Sequence, residues 1–393
     1  MDITLVINPG SASKKYAFFT GGKRVLSVSF EHVGDGYGKC LEIDGTRQQC
    51  ESATAHTFES AIEEVLAIAK REGVIHESHD ITRVGIRIVA PGTFFETHRE
   101  IDELYMRNLE KMADAAPLHI PHTITEINAL KKILPQVVCV GVSDSAFHST
   151  IPEYARRYSI PRADREAFDV YRFGYHGLSV NSVFKEGAQM LGTCGERTIV
   201  CHVGSGVSVT AIHEGKSVDT TMGFSPTSGL MMSSRAGDLD ASALLYLMKK
   251  KNLSPVEADA YITKQGGFAG VLGQGDLRIV LDRRARGDHE AQMAVDMFMY
   301  HIRKIIGAYV AVLGGIDTLI FTGTAAERNP LVRAYLCKGL EGLGIIFDAK
   351  ANEELTGRQG PLNAEKSPAK IIVIHTNEMG EIARCAEDFT PLS

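Results

Sequence analysis

One structural unit occurs twice in the sequence, in residues 5–28 and again in residues 199–218. Each copy reads as an apolar strand, a turn of glycine and serine, a second strand, a turn of glycine and lysine, and a third strand. A repeated supersecondary unit indicates two homologous halves. We therefore predict a duplicated fold in which each half contributes a glycine turn to a shared cleft. A chance resemblance between two hairpins is the alternative.

The rest of the chain alternates strand patterns with helix patterns, which is typical of a layered α/β protein. Apolar spacing predicts helices over residues 60–72 and 293–313, the second ending at Gly314. Buried strands are predicted over residues 318–321 and 371–374. A chain of 393 residues is too long for one hydrophobic core, so we expect two domains.

Composition argues against several classes of function. The formal net charge of −6 does not suit nucleic acid or an anionic membrane as the main partner. No stretch approaches the roughly 18 apolar residues that span a bilayer, and no secretory signal pattern precedes the first strand. We therefore expect a soluble cytoplasmic protein. The seven cysteines lack zinc-site spacing, and we expect them to be reduced and mostly buried.

The turn after the first strand has the composition of a phosphate-binding turn. It reads Asn8-Pro9-Gly10-Ser11-Ala12-Ser13 and is soon followed by Lys15. Glycine lets backbone N–H groups approach phosphate oxygens, and the serines add hydroxyl donors. An ordinary hairpin turn can have the same residues. The chain contains neither the P-loop sequence nor the signature motifs of protein kinases.

Two acidic residues follow apolar strands. Asp144 comes after the strand predicted over residues 137–142, and Glu378 comes after the strand predicted over residues 371–374. Carboxylates at the carboxyl ends of strands are well placed to bind Mg²⁺. A role at the N-terminus of a helix is the alternative for each of them.

Two histidines and one arginine lie in glycine-rich surroundings. His176 stands between Tyr175 and Gly177, and His202 precedes the turn Gly204-Ser205-Gly206. Residues 219–238 combine many glycine, serine and threonine residues with Arg235, a composition typical of a ligand-lining loop. The planar guanidinium of Arg235 matches a carboxylate or a phosphate. Structural histidines and a solvated arginine are the alternatives.

Taken in order, these segments resemble the acetate kinase family over essentially the whole chain. The motifs that carry the resemblance are Asn8-x-Gly10-Ser11-x-Ser13-x-Lys15, Pro117-Leu118-His119-x-Pro121, Asp144-x-Ala146-Phe147-His148, Gly174-Tyr175-His176-Gly177, His202-x-Gly204-x-Gly206-x-Ser208, Asp219-Thr220-x-Met222-Gly223-Phe224-x-Pro226, Gly229-Leu230-Met231-Met232, Arg235-x-Gly237-Asp238, Gly275-Asp276-Leu277-Arg278, Phe321-Thr322-Gly323 and Thr376-Asn377-Glu378. The resemblance implies a duplicated actin-like, sugar-kinase-like (ribonuclease H-like) α/β fold with two domains around a central cleft. It implies an N-terminal domain of residues 1–147 and 378–393, and a C-terminal domain of residues 148–377 on the nucleotide side.

The resemblance also implies reversible phosphoryl transfer between ATP and acetate, with Mg²⁺ (or Mn²⁺), in a homodimer. It implies catalytic roles for Arg87, Asp144, His176 and Arg235, and a magnesium site at Asn8 and Glu378. For the substrate it implies Arg87, Val89, Leu118, His119, Tyr175 and Pro226, of which Val89, Leu118, Tyr175 and Pro226 match the apolar pocket for the methyl group. For the nucleotide and its phosphates it implies Ser11, Ser13, Lys15, His202, Gly204, Ser205, Gly206, Asp276, Leu277, Arg278, Gly323, Thr324, Ala325 and Ala326.

The sequence departs from the family at the turn that faces adenosine. The family reads Phe-Thr-Gly-Gly-Ile-Gly-Glu, whereas residues 321–327 read Phe-Thr-Gly-Thr-Ala-Ala-Glu. Side chains at Thr324 and Ala326 stand where the base and ribose would approach, so pyrophosphate or phosphate in place of ATP or ADP is one alternative. ATP is favoured because Asp276, Leu277 and Arg278 remain.

Two further alternatives concern the acceptor and catalysis itself. An apolar pocket distinguishes one methylene by only about 1–3 kcal/mol, so propionate is an alternative substrate. A non-catalytic family member that acts as a binding protein is the other.

Overall fold

The computed structural model of the protein describes residues 2–10, 13–33, 36–45, 47–116 and 119–390 of the 393-residue chain. The chain divides into two compact units, one formed by Met1–Ala146 with Asn377–Ser393 and the other by Phe147–Thr376. Each unit contains a mixed β-sheet with helices packed against it. The chain is therefore a two-domain α/β protein.

Eight strands, counted over the described residues, form the sheet of the first unit. In chain order they are β1 (Ile3–Pro9), β2 (Ser13–Thr20), β3 (Lys23–Val33), β4 (Gly36–Ile43), β5 (Arg47–Ala53), β6 (Ile81–Ile88), β7 (Arg99–Glu100) and β8 (Val138–Ser143). Their order across the sheet is β5-β4-β3-β2-β1-β6-β8-β7. Strands β1, β6 and β8 run parallel, so their carboxyl ends lie at the same edge of the sheet.

The second unit, described throughout residues 147–376, is built on a sheet of six strands. These are β9 (Arg197–Val203), β10 (Val207–His213), β11 (Lys216–Thr220), β12 (Thr318–Thr322), β13 (Gly360–Pro361) and β14 (Lys370–Val373), in the order β11-β10-β9-β12-β14-β13. Strands β9, β10 and β11 are antiparallel neighbours, whereas β9, β12 and β14 run parallel.

The two sheets share one five-stranded pattern. The order β11-β10-β9-β12-β14 in the second unit repeats β3-β2-β1-β6-β8 in the first, with the same strand directions. The duplication predicted from the repeated unit is therefore confirmed. The chain has the duplicated actin-like, sugar-kinase-like fold, and the first sheet is extended by β4, β5 and β7.

Helices connect and cover the strands. They are α1 (Ala55–Glu59), α2 (Ala61–Arg71), α3 (Glu103–Lys111), α4 (Ile120–Ile133), α5 (Glu153–Arg156), α6 (Arg162–Ala167), α7 (Gly177–Leu191), α8 (Ala241–Lys251), α9 (Pro255–Lys264), α10 (Gly267–Leu272), α11 (Leu277–Ala285), α12 (His289–Leu313), α13 (Thr324–Arg328), α14 (Pro330–Cys337), α15 (Ala349–Glu354) and α16 (Glu378–Glu387). Both predicted helices are confirmed, as α2 and α12. Helix α12 begins four residues earlier than predicted because Asp288 caps it by accepting from Ala291 N, and it ends at Gly314 with a φ of 70°. In the described ranges, no helix combines the length and apolar character needed to cross a membrane.

A glycine sets the position of the last helix. Helix α16 packs on β1, β6 and β8. A Cβ atom on Gly85 of β6 would lie 2.9 Å from Ile382 Cγ2 and 3.0 Å from Ala386 Cβ, so only glycine permits this approach. The close packing brings the N-terminus of α16, and with it Glu378, to the first unit's sheet.

The prediction that all cysteines are reduced is wrong for two of them. Cys40 and Cys50 form a disulfide between β4 and β5, where they stand directly opposite each other. The pairing depends on the register of this hairpin, which cysteine spacing alone does not reveal. The other five cysteines, Cys139, Cys194, Cys201, Cys337 and Cys385, are free and buried as predicted.

We expect the disulfide to stabilise the first unit measurably. Its cysteines are separated by ten positions, and closing a loop of that size contributes about 2–3 kcal/mol by limiting the unfolded chain. Replacing both with serine should lower the unfolding free energy of this unit by that amount in urea titrations. Dithiothreitol should have the same effect on the native protein and none on the Cys40→Ser/Cys50→Ser variant. An unchanged titration of the native protein in dithiothreitol would contradict the prediction.

Candidate active site

The parallel strands of the first unit deliver polar side chains to one edge of the sheet. Asn8 is near the end of β1, Arg87 near the end of β6, and Asp144 directly follows β8. Asp144 N donates to Ile88 O at 2.9 Å, which extends the pairing of β6 with β8 by one residue. Glu378 is the first residue of α16. Residues from four distant parts of the sequence therefore come together, which is expected at the carboxyl ends of parallel strands.

Arg87 is the centre of this cluster. Its Nη2 donates to Asp144 Oδ2 at 2.9 Å, and its Nη1 donates to Asn8 Oδ1 at 3.4 Å. The same Nη1 lies 3.9 Å from Glu378 Oε2, which also accepts from Asn8 Nδ2 at 3.5 Å. Burial works to lower the pKa of Arg87, but the carboxylates of Asp144 and Glu378 outweigh it and raise that pKa. Arg87 is therefore a permanent cation.

The donor set of this cluster fits a divalent cation. Two carboxylates and one amide oxygen are the ligand types that Mg²⁺ prefers. Two carboxylates against one guanidinium leave one net negative charge. Asp144 is buried, whereas Glu378 is partly exposed. The residues present could therefore hold a cation beside the Arg87 guanidinium.

The remaining predicted residues of the first unit lie near the ends of elements. Lys15 stands opposite Asn8 in the antiparallel register of β1 and β2, so both side chains leave the same face of the sheet. Ser13 begins β2, Val89 follows β6, and His119 precedes α4, where its carbonyl accepts from Thr123 N at 3.1 Å. Ser11 and Leu118 lie outside the described residues.

In the second unit the two predicted histidines form a stacked pair. Their ring centroids are 4.1 Å apart and the ring planes differ by 29°. His176 Nδ1 lies 2.9 Å from Ser208 Oγ, and His202 Nδ1 lies 2.8 Å from Ser179 Oγ. His176 has a φ of 62°, which is uncommon for a residue other than glycine. Both rings are thus fixed at Nδ1.

The glycine turn after β9 brings this pair close to Arg235. A Cβ atom on Gly206 would lie 3.2 Å from His176 Nε2 and 3.7 Å from Arg235 Nη1. Arg235 Nη1 donates to Pro226 O at 3.0 Å. An imidazole nitrogen and a guanidinium group therefore meet beside a backbone turn, an arrangement that suits an anion.

The loop that carries Pro226 and Arg235 is irregular between β11 and α8, as its composition predicts. Two tyrosines hold its backbone. Tyr175 Oη donates to Phe224 O at 2.7 Å, and Tyr158 Oη accepts from Phe224 N at 2.9 Å. Tyr175, which was predicted to line an apolar pocket, is buried. Its ring is apolar, but its hydroxyl makes the hydrogen bond to Phe224 O. Hydrogen bonds with two tyrosines therefore fix the backbone of this loop at Phe224.

A cavity of about 670 Å³ lies beside the same glycine turn. Predicted residues from three segments line it, namely 204–205, 276–278 and 324–325. Phe268 and Phe298 add aromatic surface, and Gln274, Arg328 and Asn329 add polar groups that the motifs did not indicate. Its size is within the range of about 300–1,000 Å³ that is usual for small-ligand sites.

The turn after β12 is held by two charged side chains. Glu327 Oε1 accepts from Gly323 N at 2.9 Å and from Thr376 N at 3.1 Å. Buried Arg333 donates through Nη1 to Ala326 O at 2.6 Å and to Glu327 O at 3.2 Å. Burial lowers the pKa of Arg333 to about 10. Ala326 is fully buried, so its methyl group packs inside the protein while Thr324 and Ala325 line the cavity.

Several residues of this site give little signal in one sequence. Ser179 and Thr376 are common residue types that act on neighbours distant in sequence, and Arg333 binds main-chain oxygens, which no side-chain motif indicates. Phe268 and Gln274 reach the cavity only because α10 and α11 pack near the turns. A search for polar residues one helical turn from the predicted histidines would have found Ser179, which lies three positions after His176.

Comparisons with known proteins agree on one family. The pattern of the acetokinase family matches residues 3–384. An acetate kinase from Sulfurovum sp. (strain NBC37-1) is 36% identical over 386 residues, covering 98% of each chain. The crystal structure of Porphyromonas gingivalis acetate kinase superimposes with a TM-score of 0.87 at 33% identity, covering 98% of this chain and 99% of that one. A propionate kinase from Francisella tularensis subsp. tularensis SCHU S4 gives 0.91 at 28% identity, covering 99% and 100%.

We expect Arg87 to stabilise the first unit by neutralising Asp144. Arg87→Met would leave the buried carboxylate without its guanidinium, which costs about 3–5 kcal/mol when a buried pair is broken on one side. Urea titrations should measure that loss. The double variant Arg87→Met/Asp144→Asn should recover part of it, because the buried charge is then removed. Equal losses in the single and double variants would contradict an electrostatic origin.

Proposed function

This chain belongs to the acetokinase family, and on that premise we propose that it transfers the γ-phosphoryl group of ATP reversibly to acetate, giving acetyl phosphate and ADP. Members of the family are phosphotransferases whose acceptor is a carboxyl group. One observation carries the proposal for this chain. The turn of residues 204–206 borders the 670 Å³ cavity through Gly204 and Ser205, and its Gly206 faces His176 and Arg235. A nucleotide with its base and ribose in the cavity would thus have its phosphates beside an imidazole and a guanidinium.

The reaction needs cations more than a strong base. A carboxylate nucleophile with a pKa near 4.3 is already ionised at neutral pH. Its oxygen attacks the γ-phosphorus, and the bond from that phosphorus to the β-phosphate oxygen breaks as ADP leaves. The barrier is therefore lowered chiefly by positioning two anions and by stabilising the charge on the transferred group.

Arg235 and His176 are the residues that we propose to stabilise that charge. The contact of Arg235 with Pro226 O fixes the guanidinium beside the glycine turn. Ser208 holds His176 at Nδ1, so Nε2 is the nitrogen that faces Gly206. Donors fixed before the reaction stabilise developing oxyanion charge without reorganising. His202 is proposed to bind the phosphates next to them.

Asn8, Asp144 and Glu378 are proposed to hold Mg²⁺, directly or through water, with Mn²⁺ as a substitute. When bound, the cation would offset the negative charge of the nucleotide phosphates. Arg87, held by these residues, is proposed to bind oxygens of the carboxylate or of the phosphoryl group. Lys15 and Ser13 are proposed to add a charge and a hydroxyl on the phosphate side, and His119 and Val89 to contact the acceptor.

The cavity favours a nucleotide over pyrophosphate as donor. Pyrophosphate has no base or ribose to fill about 670 Å³ that is partly lined by phenylalanine. The substitution at Ala326 leaves the cavity open because that methyl group is buried. Only Thr324 and Ala325 present changed side chains to the donor. We therefore propose ATP, with pyrophosphate as the alternative.

Propionate is the second acceptor that we propose. The similarity to a solved propionate kinase over nearly the whole chain favours it. One added methylene changes binding in an apolar pocket by only about 1–3 kcal/mol.

We also propose a cytoplasmic homodimer. The second unit exposes the apolar side chains of Leu239, Val271 and Met297 around a groove of about 610 Å³, and exposed apolar surface of this kind is often covered by a partner. A molar mass in solution equal to that of a single chain would contradict the dimer. Recovery of the protein with cell membranes would contradict the location.

Trapping of the acyl phosphate with hydroxylamine tests the reaction. Acetate and propionate should each give hydroxamate with ATP and Mg²⁺, acetate at the higher kcat/KM, and chelation of the metal should abolish product. In the Arg235→Ala variant kcat should fall by about 10²–10³, the loss typical of removing one preformed oxyanion donor.

Three outcomes would overturn parts of this proposal. Product with pyrophosphate but not with ATP would overturn the donor. Near-native turnover of Arg235→Ala would remove Arg235 from the mechanism. Absence of product with every pair of substrates would favour a non-catalytic binding protein.

A further inference from the structure

A hydrogen-bonded network lies behind the stacked histidines, and three of its residues, Glu327, Thr376 and Ser179, have no role in the function proposed above. It starts at Glu327 in the turn after β12 and continues through Thr376, which follows β14, to Ser179 on α7. From Ser179 it reaches His202. We propose that Thr376 and Ser179 are positioning residues that fix His202 as an Nε2–H donor directed at the phosphate-binding turn. This inference rests on the proposed function.

The proposal assigns a direction to the hydrogen bond between Ser179 and His202. Thr376 Oγ1 donates to Ser179 Oγ at 2.8 Å, and Ser179 Oγ lies 2.8 Å from His202 Nδ1. A hydroxyl has one hydrogen to donate, and in this network Ser179 gives it to His202 Nδ1. A neutral imidazole that accepts at Nδ1 carries its proton on Nε2. The hydrogen-bonded network therefore selects one tautomer of His202.

The ring of His202 points its other nitrogen at the glycine turn. His202 Nε2 lies 3.6 Å from where a Cβ atom on Gly204 would stand, and Gly204 lines the cavity. An Nε2–H group at this place can donate to a phosphate oxygen, whereas the opposite tautomer would present a lone pair to an anion. Selecting the tautomer thus decides whether His202 attracts or repels the phosphate.

Glu327, at the start of the hydrogen-bonded network, links the tautomer of His202 to the turn after β12. Glu327 Oε1 accepts from Thr376 N, and the same oxygen accepts from Gly323 N and Thr322 Oγ1. A carboxylate with these donors around it holds Thr376 in one position relative to the turn. Ser179 is fully buried, so its hydroxyl has no bulk water as a competing partner. The backbone that borders the nucleotide and the histidine that faces its phosphates are consequently oriented by one network.

The test combines NMR spectroscopy with kinetics on Thr376 and Ser179. Spectra of ¹⁵N-histidine-labelled protein without substrate, at alkaline pH, distinguish protonated from unprotonated ring nitrogens, and His202→Gln identifies the signals of His202. We expect the native protein to have the proton on Nε2 alone. Thr376→Val, which keeps the shape but loses the hydroxyl, and Ser179→Ala should both give a mixture of tautomers. Thr376→Ser should restore the native spectrum.

The kinetic readout separates positioning from simple loss of structure. Thr376→Val should lower kcat by about tenfold, the effect of one hydrogen bond, and Thr376→Ser should recover it. The KM for acetate should stay unchanged in both. Ser182→Ala on the same face of α7 is the matched control and should alter neither the spectrum nor kcat. If Ser179→Ala fails to fold, the Thr376 pair still decides the question.

Several results would overturn the inference. A native His202 with its proton on Nδ1, or a Thr376→Val spectrum identical to the native one, would exclude tautomer selection by this chain. An equal loss of kcat in Thr376→Val and Thr376→Ser would make the hydroxyl irrelevant. Failure of the phosphoryl transfer itself would leave the tautomer measurement intact, because that measurement needs no substrate or turnover.

Discussion

The parallel pairing beside the first strand of each sheet is the constraint on which the polar cluster of each unit depends. Strand β1 has an antiparallel hairpin on one side and parallel β6 on the other, and β9 has the same surroundings. A parallel pair needs a long crossover connection, so residues far apart in sequence end at the same edge of the sheet. In the second unit the hairpin of β9 and β10 supplies the glycine turn of residues 204–206. The topology of that unit therefore places a backbone turn beside the ends of parallel strands.

The two units use this common geometry for different electrostatics. In the first unit, the strand ends carry an amide, two carboxylates and the arginine between them, with one net negative charge. In the second unit the corresponding edge carries imidazoles and a guanidinium, with the glycine turn among them. The two backbones share one topology, whereas the charges at their edges differ. One unit is suited to cations and the other to anions.

The sequence was sufficient to predict the fold. The repeated strand and turn pattern predicted the duplication, and the resemblance to the acetate kinase family implied roles for Asn8, Arg87, Asp144 and Glu378, which lie together at one edge of the first unit's sheet. Contacts made by ordinary residues were not predictable. Ser179 and Thr376 meet only after the sheet has formed, and Arg333 binds main-chain oxygens of a neighbouring helix. The pairing of Cys40 with Cys50 escaped prediction for the same reason, since it depends on the register of β4 and β5.

Buried Arg333, which binds the backbone of the turn after β12, affects which substitutions this turn can accept. Arg333 and Glu327 hold the turn through main-chain oxygens and nitrogens of residues 323, 326 and 327. None of these contacts involves the side chains at 324 and 325, which line the cavity. The backbone of this turn is therefore stabilised independently of the side chains at 324 and 325. Substitutions at these two positions would change the surface of the cavity while the backbone keeps its conformation.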